Sequence, residues 1–178
     1  MRAVRLFKVT LVGMVVALAV SLGAGTAAQA AAAKSGSVYS FDLGKGDTAV
    51  SPSGGAMASA GDWITVKGSG TFDPAAKTVA AKGTFVHYGA TGTVMCKGSW
   101  NATSFTSFQD FGRNDAGEEG GALSIVVTHY CSTMGMTMTD IPMTVTSTVD
   151  APAGYVEGVT VGDFTEPTAG SVTIQPEQ

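Results

Sequence analysis

Imidazole, thiol and thioether side chains crowd into one short stretch, "HYCSTMGMTM", residues 129–138. His129 and Cys131 continue the alternation of Leu123, Ile125 and Val127, so on a strand all five point to one face. Met134, Met136 and Met138 follow at spacing two, which puts them on one side of an extended chain, and Met143 lies just beyond. Imidazole with soft thioether and thiolate donors is the set that selects Cu(I). Read as chemistry, the stretch offers a soft-metal site built from His129, Met134, Met136 and Met138, with copper as the implied cofactor. Read as packing, methionine is a flexible core filler and an inward histidine a satisfied core residue, and no cofactor is implied. Zinc held by two histidines and two cysteines would need thiolates that a disulfide consumes.

The remaining motifs with chemical precedent are fragments. No Gly-x-Ser-x-Gly is present, and no Ser/His/Asp set falls in a recognisable order. "GSGTFD", residues 68–73, lacks the third glycine and the following helix of a dinucleotide loop. "DFG" at 110–112 has no kinase context, and "NAT" at 101–103 fits a glycosylation sequon inside a strand. Asp110, Asp115, Glu118 and Glu119 form an acidic, Gly-rich stretch without the alternating ligand spacing of a Ca²⁺ loop, so a solvated loop is expected over 109–121. No catalytic residue is assigned. An uncharacterised enzyme remains a further alternative, with His87 and His129 the side chains that titrate near neutral pH.

The compartment is indicated by the start of the chain. Arg2, Arg5 and Lys8 precede an apolar run over 9–22 and the small residues Ala28, Gln29 and Ala30, the pattern of a cleaved signal peptide over 1–30. The expected organisation is an N-terminal strand and flexible arm over 31–60 and one all-β domain over 61–178. The expected exported part keeps seven basic and fourteen acidic residues, a net charge of −7. That balance excludes nucleic acid and anionic membrane, which need clustered Lys and Arg, so the expected partner is a small ligand or a protein. Cys96 and Cys131, the two cysteines, are most simply a disulfide in an oxidising, secreted or extracytoplasmic setting.

The elements that must carry these residues read as strands. Thr, Val and Gly dominate, Pro and Gly punctuate at short intervals, and no segment has a helical apolar period. Strands are expected over 38–43, 63–72, 78–88, 93–108, 122–131, 136–149, 155–164 and 171–174, with a long loop over 44–62. "KGSGTF" from Lys67, "KGTF" from Lys82 and "KGSW" from Lys97 recur at fifteen-residue intervals. That interval is one strand plus one turn, so the repeat is the rhythm of a meander, with each Gly giving room where a curved strand needs it. A four-residue "GATG" loop sets Tyr88 against Thr93, His87 against Val94, Phe85 against Cys96 and Gly83 against Gly98. Phe85, His87, Val94, Cys96 and Trp100 then face inward, and Lys82, Thr84 and Lys97 outward. Trp63, Phe72, Phe85, Trp100, Leu123, Ile125, Val127 and Val145 are the expected core.

"GSGTFDP" (68–74), "GTFVH" (83–87), "GTVMCKGSWNATSF" (92–105) and "EGVTV" (157–161) resemble a group of small exported bacterial β-proteins for which no activity is established. The resemblance implies export and an all-β fold, and transfers no site residues. The meander and "GSGTF" are similar in rhythm alone to allene oxide cyclase and dirigent barrels. The Gly-x-Trp of lipocalin and avidin barrels opens their first strand, whereas here it falls mid-domain. The expected fold is an antiparallel meander of about eight to ten strands, a closed β-barrel first and a two-sheet sandwich second. The expected function is a non-enzymatic exported binding or surface-interaction module, with the soft-metal binder as the alternative.

Overall fold

The computed structural model describes residues 37–177; the expected signal peptide over 1–30 lies outside them. The described residues hold ten strands and no helix: β1 Tyr39–Asp42, β2 Asp47–Val50, β3 Trp63–Asp73, β4 Thr78–Tyr88, β5 Val94–Arg113, β6 Glu119–Cys131, β7 Met136–Ser147, β8 Gly158–Val161, β9 Glu166–Ala169 and β10 Thr173–Pro176. All pairings are antiparallel, and β3 to β8 run as a meander. The outer edge of β3 is shared between β1 and β2, and β10 joins β1 to the start of β6. Hydrogen bonds therefore run in a closed ring through β1, β10, β6, β5, β4 and β3. No described helix is long and apolar enough to cross a membrane.

Local chemistry fixes the hairpins. Asp73 accepts hydrogen bonds from the Ala75 and Ala76 amides, and Lys77 takes a positive φ to close the turn that Pro74 opens. Gly92, at φ 84°, closes "GATG" by donating to the Gly89 carbonyl. The acidic stretch is mostly strand rather than the solvated loop expected over 109–121. Only 114–118 turns, with Asn114 bonded to Glu118, while Arg113 donates to the buried Glu119 at 2.7 Å. β2 and β9, each four residues, fall in segments where periodicity is too short to read.

Alternation explains most of the core, and strand phase and a bulge explain the exceptions. Phe72, Phe85, Trp100, Leu123, Ile125, Val127 and Val145 are buried as expected. Trp63 is not: Ile64 and Val66 take the inner positions of β3, so Trp63 faces out and stacks on its cross-strand neighbour Tyr88 at 3.8 Å. In the β4–β5 hairpin the expected register is corrected. His87 pairs with Cys96, Phe85 with Gly98 and Gly83 with Trp100, while Tyr88 pairs with Val94. Met95 is the extra residue of a bulge there, which turns Val94 outward and leaves the inner faces of Phe85, His87, Cys96 and Trp100 unchanged.

The repeated "KG" pairs surround Trp100. Gly68 and Gly83 are directly opposite on β3 and β4, and the indole, fully buried, donates to the Lys67 carbonyl at 3.0 Å. A Cβ on Gly83 would overlap both that carbonyl oxygen and the indole, and one on Gly98 would overlap the Tyr130 carbonyl. Close approach, not turn formation, is what these glycines provide. Gly83→Ala is therefore expected to cost about 3 kcal/mol or more in chemical denaturation, and a loss below about 1 kcal/mol would contradict this packing.

Asp47 is the one wholly buried carboxylate whose second oxygen has no protein partner among the described residues. Burial pushes its pKa up to about 6, against the Ser171 amide, with Glu157 and Asp42 adding to the rise. The folded chain thus holds this proton more tightly than the unfolded one. The stability so gained is complete below the unfolded value of 3.8 and lost as pH rises through about 6. Asp47→Asn keeps an acceptor for Ser171 and removes the titration. Relative to the parent, it should gain about 1–3 kcal/mol on going from pH 4 to pH 7. Parallel melting curves for the two proteins across that range would refute the assignment.

Candidate functional site

Both histidines, and the face of β6 that the sequence marks, meet at one cavity of about 340 Å³. Its floor is cross-strand geometry. β6 sets His129 opposite Trp100 on one side and opposite Met138 of β7 on the other. Cys96 and Cys131 are bonded across β5 and β6, with Cα atoms 5.8 Å apart, and both are buried. The expected pair is therefore a disulfide, and its thiols are not available as ligands.

His129 is 1% exposed, and its ring stacks on Phe85 with centroids 4.4 Å apart. Among the described residues neither Nδ1 nor Nε2 has a hydrogen-bond partner. Burial pushes its pKa down to about 4, so at neutral pH it is an uncharged imidazole with one N–H and one lone pair. Leaving such groups unpaired costs roughly 1–3 kcal/mol. His129 is thus not the satisfied core histidine of the packing reading.

The methionines fall differently from a simple stripe. Met138 and Met134 line the cavity, and Met136 does not. The strand begins only at Met136, so Met134 sits in the 132–135 turn, and Met136 lies past the rim, 51% exposed. Met143 is buried in the core, because β7 carries an extra residue near Asp140, at φ 60°, which shifts the inner face from 138 to 141 and 143. Two more methionines, which the sequence pattern did not connect to the site, complete the wall: Met95 from the β5 bulge and Met57 from the strap between β2 and β3.

That strap, residues 51–62, is pinned at both ends. The Ser51 and Asp62 backbones bond at 2.9 Å, Gly55 bonds to Ala58, and the Met57 amide donates to Asp163. Asp62 organises the inner end. It accepts from the Ser59 amide at 2.9 Å, the Ala90 amide at 3.1 Å and His87 Nε2 at 3.0 Å. The Ser59 amide is the main cause of a pKa below the usual carboxylate value; burial opposes it, and His87 and the Ala90 amide assist. His87 is held in turn by the Phe164 ring, edge-on at 5.1 Å. The cavity therefore has an apolar, sulfur-lined side around His129 and a polar corner at Asp62–His87. Among the described residues no group of three or more His, Cys, Asp and Glu stands together as a metal site.

No family model, curated protein or solved structure matches the chain. The site must be read from its own geometry. Asp62→Ala should free the strap and the "GATG" turn together, so the Ser59 and Ala90 amides should exchange hydrogen tenfold to a hundredfold faster. Unchanged exchange at both would show that Asp62 does not hold the strap.

Proposed function

We propose that the protein is an exported, non-enzymatic binding module, a closed β-barrel whose small ligand occupies the cavity over His129. The observation that carries this reading is His129 itself, buried in the cavity wall with both nitrogens unpartnered. A fold keeps an unsatisfied polar group at a cost, and a ligand that bonds to it recovers that cost. The surroundings suit capture. Phe85, Ile64 and Phe164 supply apolar contact, and the strap closes one side. The closed ring of hydrogen bonds supports the barrel, and the disulfide is in keeping with an extracytoplasmic location. The resemblance to exported bacterial β-proteins, together with the acidic balance, points the same way and away from nucleic acid.

An enzyme would draw on the Asp62–His87 pair, an imidazole oriented by a carboxylate. Among the described residues no serine, threonine or cysteine is hydrogen-bonded to His87, so the structure offers this pair no side-chain nucleophile for covalent catalysis.

Replacing His129 by Leu separates ligand binding from packing. Because an unpaired polar group gives way to an apolar one, His129→Leu should keep or slightly raise the unfolding temperature. A mixture of small azoles, phenols and amides should shift the methyl resonances of Met57, Met95 and Met138 in the parent and leave them in place in the variant. A variant that unfolds readily, or that binds the same fragments equally well, would defeat the assignment of the cavity to His129.

A further inference from the structure

Resting on the reading of the cavity as a binding site, we propose that its ligand is a monovalent soft metal ion, Cu(I). His129 and the thioethers of Met138, Met134 and Met95 hold it, and Met57 covers it from the strap. Four of the six methionines in the described residues line this single cavity, and they arrive from four different places in the chain. Met57 comes from the strap, Met95 from a bulge, Met134 from a turn and Met138 from β7.

Packing alone does not account for them. A methionine that fills a core gap is buried, as Met143 is at 1%, whereas Met95 and Met134 are 49% and 54% exposed at the mouth. Apolar side chains presented half to solvent beside a buried, unpartnered imidazole are a donor set rather than a core. Met138 stands directly across the strand pair from His129, at the spacing where side chains touch.

The choice of metal follows from the donors. Thioether sulfur and neutral imidazole are soft ligands that select Cu(I) over the harder divalent ions. The thiolates are consumed in the Cys96–Cys131 bond, and the Asp62 carboxylate is already engaged by two backbone amides and His87. What remains is uncharged, and a neutral, largely apolar site accepts a single positive charge far more readily than two. Binding involves no change of oxidation state: the ion exchanges its carrier ligands for sulfur and nitrogen.

The test is metal titration of the disulfide-intact protein without thiol reductant, followed by native mass spectrometry and methionine-methyl NMR. Cu(I) is supplied as its acetonitrile complex, and Ag(I), as silver nitrate, serves as a redox-inert equivalent. One ion should bind per chain and move the methyl resonances of Met57, Met95, Met134 and Met138, with Met136 and Met143 unmoved. The double variant Met95→Leu, Met134→Leu changes two half-exposed positions, so it should fold as the parent does. It should lose at least tenfold in affinity against a Cu(I) chelator. Uptake that survives in this variant, or that moves Met136, would mean surface thioether binding and overturn the proposal. No uptake would also overturn it. If the fragment mixture still shifted the cavity methyls, the binding-module reading would stand without the metal; if nothing shifted them, both would fall.

Discussion

The burial of Trp100 is the constraint on which the rest depends. An indole can sit at the centre of this sheet only if the backbones of β3 and β4 come within contact of it, and that requires Gly68 and Gly83 to have no side chains. In return the ring donates to Lys67, which ties β3 to β5 across the intervening strand. Trp100 is also the register partner of His129, which lines the cavity.

Around His129 the site is assembled by departures from regular pairing. One extra residue in β5 places Met95 at the mouth, and one in β7 divides its methionines between cavity and core. The turn of 132–135 delivers Met134, and the strap delivers Met57. Beneath them the Cys96–Cys131 bond ties β5 to β6, whose ladder is regular from Gly98–Cys131 to Ala102–Val127 and bulges only beyond, at 102–104, 105–107 and 110–112. Asp62 connects these parts, since one carboxylate holds the strap, the "GATG" turn and His87 in a single hydrogen-bonded unit.

Period-two alternation made much of this visible in advance. The inward face of His129 and Cys131, the face shared by Phe85, His87, Cys96 and Trp100, and the role of the fifteen-residue repeat all follow from local pattern, because a strand has only two sides. Trp63 departs from this pattern: hydrophobicity favours the core, but the phase set by Ile64 and Val66 turns the indole outward. Val94 departs too, since a single inserted residue reverses a face and leaves no compositional trace. Met57 and Asp62 lie in a small, polar segment with no periodicity, and nothing local signals that they belong to a site.

Residue types and their alternation thus determine that the domain is all-β and that His129 and Cys131 share the inward face of their strand. They do so because each follows from side-chain volume, polarity and the two-fold pleat. The meeting of Cys96 with Cys131 is instead decided by the pairing of β5 with β6. Which four methionines line the cavity with His129, and that Met136 is not among them, depends on bulges, turns and a strap that bring together residues as far apart as 57 and 138. Those contacts are made across strands, and they exist only once closure of the ring has fixed every register at the same time.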